Sequence, residues 1–311
     1  MIVALAGGVG AARFLQGLVR VVAPEQVCVV VNTGDDTILH GLHVSPDLDT
    51  VTYTLAGSIN PETGWGLAGD SWWAMGALDR YGGPTWFRLG DRDLATHLYR
   101  TRRLNEGATL SAVADEVARA WGVRAWLLPM SDDPVRTHLS LTGGPEVGFQ
   151  EYFVKLRHAA PVDAVRFAGA GEARPAPGLL EAIAGAQSIV VCPSNPILSI
   201  GPILAVPGLR DALSERRAAT VAVSPIVAGA ALRGPADRLM AELGHQASVV
   251  GVARLYAPWV STLVVDQSDA SMAGAIETEG MRCLVAPSIM TSVGAAADLA
   301  RVTLSAVAAP S

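Results

Sequence analysis

The chain has 311 residues, of which 50% are hydrophobic, and its formal net charge at neutral pH is -6. That length suits one large α/β domain or a core with a smaller inserted lobe, and the composition supplies a sizeable core. The acidic balance offers no general attraction for a polyanion, and every apolar stretch is broken by Pro, Gly or charge, so neither nucleic acid nor a membrane is an expected partner.

The chain opens on an apolar run, Ile2 to Ala6, with no basic leader or cleavage site, so no export signal is expected. A glycine turn follows, Gly7-Gly8-Val9-Gly10. Arg13 stands where a dinucleotide fingerprint has its third small residue, and no Gly-Lys-Ser/Thr follows, which disfavours both a nicotinamide enzyme and a Walker loop. What remains is a strand, turn and helix N-terminus that either binds a phosphate or diphosphate through its amides or is purely structural. The second run, Val27 to Val31, has the uninterrupted apolar character of a parallel strand covered on both faces, and its carboxyl end is where open α/β sheets bind ligands.

Beyond it lie Asn32-Thr33-Gly34-Asp35-Asp36 and Ser45-Pro46-Asp47-Leu48-Asp49-Thr50, four carboxylates within fifteen residues. Converging carboxylates need a cation to offset their repulsion, and Asp35 and Asp49 are the candidate metal ligands. Asp36 and Asp47, beside turn residues, read as caps. His40 and His43 lack further Cys or His neighbours for a zinc set and read as polar loop residues. Trp65, Trp72, Trp73 and Trp86 crowd a glycine-rich stretch and read as small-lobe core, with a stacking surface for a flat ring as the alternative. In Leu89-Gly90-Asp91-Arg92-Asp93, Arg92 between two aspartates is either an ion-pair hub or a phosphate clamp.

From about 90 to 148 the sequence turns charged and helix-forming, with Leu110, Val113, Ala114, Val117 and Trp121 on one face and Gly122 as a stop. This segment reads as part of a lobe spanning 61–149, inserted in a core of 1–60 and 150–311. Within it, Trp126-Leu127-Leu128 runs into the acidic turn Met130-Ser131-Asp132-Asp133-Pro134. Further strand-like runs are Ile189 to Cys192, Thr220 to Val223, Thr262 to Val265 and Arg282 to Ala286, followed by an alanine-rich helix ending in Pro310. Runs alternating with helical patterns argue for βα units and a mainly parallel sheet, so the loops after them, among them Ser194-Asn195-Pro196 and Ser224-Pro225, should gather along one edge. Cys28, Cys192 and Cys283 each fall in such a run, which predicts buried free thiols and a reducing cytoplasm. Lys155 is the sole lysine, so a bound phosphate must be met by arginine, amides or metal.

Taken in order, the glycine turn, the Asn-Thr-Gly-Asp-Asp loop, Ser45 to Thr50, Leu89 to Asp93, Met130 to Pro134, Ser194 to Pro196 and Ser224-Pro225-Ile226 resemble the 2-phospho-L-lactate transferase (CofD) family over essentially the whole chain. The resemblance implies a Rossmann-like core with a smaller, partly helical lobe, usually as a homodimer. It implies Mg²⁺-dependent transfer of a phospholactyl or phosphoenolpyruvyl group from a guanosine diphosphate donor to 7,8-didemethyl-8-hydroxy-5-deazariboflavin, with GMP released, in coenzyme F-420 biosynthesis. The Gly-Asp-Asp loop and the Trp-rich stretch tilt the expectation toward enolpyruvate. By motif position it assigns Asp49 and Arg92 to catalysis, and Asp49, Arg92, Asp91, His97 and Met130 to the deazaflavin. Gly8, Gly10, Arg13, Ser194, Asn195 and Ser224 fall to the donor, and Asp35 and Asp49 to the metal. A sister branch of regulatory proteins that bind nucleotide sugars without transfer chemistry is the alternative.

Overall fold

The computed structural model describes residues 1–307, so the expected helix stop at Pro310 lies outside the described residues. The apolar runs form strands. In chain order these are β1 (Ile2–Ala6), β2 (Val27–Val31), β3 (Thr37–Leu39), β4 (Leu42–Val44), β5 (Trp126–Pro129), β6 (Arg136–Leu141), β7 (Glu146–Gly148), β8 (Val162–Ala168), β9 (Ser188–Val191), β10 (Thr220–Val223), β11 (Ile226–Val227), β12 (Ala230–Ala231), β13 (Thr262–Val265) and β14 (Arg282–Val285). Seven of them build one sheet in the order β14-β13-β10-β9-β1-β2-β5, and every pairing in it is parallel.

Because strand side chains alternate, Val3 and Leu5 of β1 face one hydrophobic cluster while Ile2, Ala4 and Ala6 face a second. Helices cover both faces, which explains why β1, β2, β9, β10 and β13 are buried throughout. The second cluster is closed by α1 (Gly8–Leu18), α2 (Pro46–Leu55) and the C-terminal helix Val293–Ser305. The strand order reverses between β1 and its neighbour β9, where Leu5 stands opposite Val191. Loops leaving these two strands in opposite directions open a crevice, the usual ligand site of an open α/β sheet.

Two pairings cross the expected division into a lobe of 61–149 and a core. Strand β5 pairs with β2 at the edge of the main sheet, and α5 (Leu110–Ala120) packs on it. Strands β6, β7 and β8 form a separate antiparallel sheet that crosses the expected boundary at 149/150. A hairpin of β3 and β4 also stands apart from the main sheet, with α3 (Trp73–Leu78) and α4 (Asp93–Asn105), closed over Leu39, Val44, Met75 and Leu89. The charged texture that suggested one lobe reflects the exposed faces of α4 and α5, which cover different layers. Among the described residues no single helix is long and apolar enough to cross a membrane.

Candidate active site

Three loops meet at the crevice. The turn after β1 needs glycine: Gly8 has φ 75°, and a Cβ at Gly10 would lie 2.5 Å from the carbonyl oxygen of Pro193. That close approach seats the loop after β9 against α1, with Ser194 Oγ accepting from the Gly7 amide at 3.4 Å. The Asn195 side chain accepts from the amides of Ile197 and Leu198, at 2.9 and 3.1 Å, and so caps the turn Pro196–Ile200. After β10, Ser224 Oγ donates to the Ile226 carbonyl at 2.9 Å and accepts from its amide. Together with the start of α2 and the Leu89 to His97 segment, these loops line a cavity of about 830 Å³.

The acidic loop and the start of α2 form the polar floor. Asp47 reaches out of the first turn of α2 and accepts from the Gly8 amide at 2.8 Å and from Asn32 Nδ2 at 3.0 Å. Its role is thus a tertiary clamp on the glycine turn, not a cap of its own helix. Asn32, standing where a dinucleotide enzyme has its ribose acid, spends its Oδ1 on the Gly34 amide. Asp36 accepts from Ser45 Oγ at 2.7 Å. Burial pushes the Asp36 carboxyl up to about 7 despite the Ser45 hydroxyl, and pushes Asp47 up to about 6 despite its bonds from Asn32 and Gly8. Asp35 is raised as well, first by burial and then by the charges of Asp47 and Asp36.

Beside this floor, α2 and α4 interlock through one network. Asp49 and Tyr53 stand four residues apart on α2, and Asp93, His97 and Arg100 stand at i, i+4 and i+7 on α4, so each set shares a helix face. The Arg100 guanidinium embraces Asp49, Nη2 bonding Oδ1 and Nη1 lying 3.2 Å from Oδ2. His97 sits between two carboxylates, Nδ1 3.7 Å from Asp49 Oδ2 and Nε2 3.3 Å from Asp93 Oδ2. The Tyr53 hydroxyl lies 2.7 Å from both Asp93 Oδ1 and Thr96 Oγ1. Burial works against ionising Asp93, yet His97 and the Tyr53 hydroxyl outweigh it and hold its carboxyl below the usual range.

Of the residues expected at the site, Gly8, Gly10, Arg13, Asp35, Asp49, His97, Ser194, Asn195 and Ser224 line the cavity. Arg92, Asp91 and Met130 do not line it. Arg92 is exposed and its Nη1 donates to the Ala68 carbonyl at 3.0 Å. Asp91 accepts from Ser71 Oγ and from the amides of Trp73 and Ala74, closing the start of α3. Met130 is fully buried in the core just past β5, the edge strand two places from β1. The tryptophan stretch is no core either: Trp73 is 83% exposed and Trp65 47%, Trp72 carries Arg88 over its ring, and of the four only Trp65 lines the cavity. Tyr53 and Arg100 escaped notice in the sequence and Asp93 was read only as a flank of Arg92, although the Asp93, His97, Arg100 spacing on one helix was a readable signal.

The acids fit a hard divalent cation. Asp35 Oδ1 is buried without a hydrogen-bond partner, the donor chemistry that such a cation seeks. Asp49 gives Arg100 one lone pair from each oxygen, and a carboxylate has about four such sites, so capacity remains on the cavity side. Ligand atoms of Asp49, Asp93 and His97 also lie within 4.8 Å of one another.

Comparison with known proteins converges on one family. The family model described as 2-phospho-L-lactate transferase CofD matches residues 2–285. The chain is similar to a phosphoenolpyruvate transferase of Kitasatospora aureofaciens, 48% identical over 309 residues that cover 97% of this chain and 96% of the relative. A phosphoenolpyruvate transferase of Mycobacterium tuberculosis is 40% identical over 316 residues, covering 96% of each. Among solved structures, a UPF0052 family member from Bacillus halodurans shares the fold, with a TM-score of 0.63 at 17% identity and coverage of 97% of this chain and 98% of that one. With the model matched over nearly the whole chain and these relatives aligned end to end, the chain belongs to the 2-phospho-L-lactate transferase CofD family of transferases.

Proposed function

We propose that this protein moves a phosphoenolpyruvyl or phospholactyl group from a guanosine diphosphate donor to the ribityl hydroxyl of the deazaflavin alcohol, releasing GMP, in coenzyme F-420 biosynthesis. The observation that carries the reading is the convergence of Asp35, Asp49, the glycine turn and the Ser194, Asn195 and Ser224 loops on one cavity. Relatives up to 48% identical are phosphoenolpyruvate transferases, which favours the enolpyruvyl donor.

In such a transfer the acceptor hydroxyl oxygen forms a bond to the donor phosphorus that carries the three-carbon acid. The bond from that phosphorus to the bridging oxygen breaks, and GMP leaves with the electron pair. Catalysis then rests on positioning and on neutralising charge at the phosphoryl oxygens. Asp49, held in one orientation by Arg100, draws the acceptor hydroxyl into line and takes its proton. His97, fixed between Asp49 and Asp93, steadies that carboxylate. Asp35 and Asp49 would hold Mg²⁺, which supplies neutralisation of the donor's phosphate charge. A homodimer belongs to the same proposal, and sedimentation tests it.

The deciding experiment is mass spectrometry of the deazaflavin alcohol after incubation with the protein, Mg²⁺ and, in separate reactions, the enolpyruvyl and lactyl guanosine diphosphate donors. A product from one donor identifies reaction and substrate together. No product, with binding of a nucleotide sugar and none of the deazaflavin, would replace the transferase by the regulatory alternative.

A further inference from the structure

Two amides of the glycine turn are already engaged, since Gly8 donates to Asp47 and Gly7 to Ser194. A carboxylate therefore sits at the helix terminus where an incoming phosphate would otherwise bind. The cationic side chains of the cavity lie elsewhere. Arg13, Arg88 and Arg233 line it; Arg88 lies over the Trp72 ring, and among the described residues neither Arg13 nor Arg233 pairs with a carboxylate. Arg233 Nη1 donates to the Thr63 carbonyl at 3.0 Å, a neutral partner that leaves most of the guanidinium fork free. Val9 and Arg13 stand four residues apart on α1 and share a face. Gly64 joins that face to Arg233, for a Cβ built on it would lie 2.7 Å from Val9 Cγ1 and 3.1 Å from Arg233 Nη1. Two like charges are thus brought to one wall with no anion of the protein between them. Burial, and then the Arg233 charge, lower the pKa of Arg13, which is the mark of a cation that lacks its counterion.

We propose that Arg13 and Arg233 form a paired guanidinium subsite that grips the diphosphate of a nucleoside diphosphate ligand. The inference deepens the proposed function by assigning the donor's charged centre, and it rests on that reading only for the donor's identity. Arginine suits the task because its planar fork meets phosphate oxygens in pairs. Phosphate-bearing ligands should displace Arg233 from Thr63 and draw the two side chains onto the anion.

The test is calorimetric titration of the full chain, in Mg²⁺, with inorganic pyrophosphate, GDP and GMP, using the wild type, Arg233→Gln, Arg233→Lys and Arg13→Gln. The subsite predicts that Arg233→Gln weakens pyrophosphate and GDP by about tenfold or more, GMP by less, and that Arg233→Lys recovers part of the loss. Arg233 has no ion pair to lose, so the melting temperature of the unliganded Gln variant should match the wild type. If Arg13→Gln fails to fold, the Arg233 variants carry the test alone. Wild-type affinity of Arg233→Gln for pyrophosphate and GDP, or no pyrophosphate binding by the wild type, would overturn the subsite. Pyrophosphate binding that needs Arg233, in a protein that makes no deazaflavin product, would instead sink the transferase reading and leave the subsite standing.

Discussion

Asp49 and Arg100 have to be considered as one unit, because each is buried and each is the other's main compensation. Arg100→Met strands a buried carboxylate, and a loss of about 3–5 kcal/mol is expected in denaturant unfolding. Asp49→Ala strands the guanidinium in the same way, so Asp49→Asn, which keeps the shape and one acceptor, is the cleaner probe of chemistry. It should lose turnover in the deazaflavin assay while its unfolding remains cooperative; near wild-type turnover would remove Asp49 from the mechanism. Arg92 offers the contrast. Its guanidinium meets only a backbone carbonyl on the exposed side of the α4 start, so Arg92→Ala should retain wild-type turnover and change stability by within about 0.5 kcal/mol. A deep loss of turnover would return Arg92 to the acceptor site.

At the scale of elements, the packing of α1 decides where the glycine turn points. Gly17 faces the C-terminal helix so closely that an added Cβ would overlap the Ala296 backbone. Gly17→Ala gains helix propensity but forces the two helices apart, and a net loss of about 1–3 kcal/mol is expected from thermal or denaturant melts. An unchanged stability would mean that the interface yields without cost. The strands make a separate prediction through their thiols. Burial raises Cys28, in β2, to about 12, and also raises Cys192, just past β9. Cys283, in edge strand β14, is only half-buried. A thiol-alkylating reagent at pH 8 should modify Cys283 alone in the folded protein and all three after unfolding, as mass spectrometry would show.

For the whole molecule, the acidic floor couples folding to pH and to cations. A carboxyl whose folded pKa exceeds its unfolded value of about 4 stabilises the fold fully at low pH, and that contribution is lost as pH rises through the folded pKa. Asp47 at about 6 and Asp36 at about 7 place the loss between about pH 4 and pH 7. The metal-free protein should therefore melt a few degrees higher at pH 5 than at pH 8, and Mg²⁺ should raise the melting temperature at pH 8 more than at pH 5. Equal Mg²⁺ shifts at the two pH values would argue that no cation reaches these carboxylates.

The sequence by itself determined the sheet: an apolar run such as Val27 to Val31 has one stable place, buried in a parallel layer, and local patterning is enough to say so. It also placed the glycine turn, Asp35, Asp49 and the Ser194 and Ser224 loops at one end of that sheet, because βα connections carry such loops there of necessity. Only the tertiary structure decided which polar side chains turn inward. Arg92 and Arg100 are both arginines near the same motif, yet the helical register of α4 directs Arg100 with Asp93 and His97 toward α2 and leaves Arg92 in solvent. Met130 ends an apolar run like the others, but β5 lies on the sheet edge away from the switch point. The pairing of Arg13 with Arg233 across more than two hundred residues depends on how Gly64 packs against Val9. Contacts of that kind depend on where helices dock, and no local pattern encodes the docking.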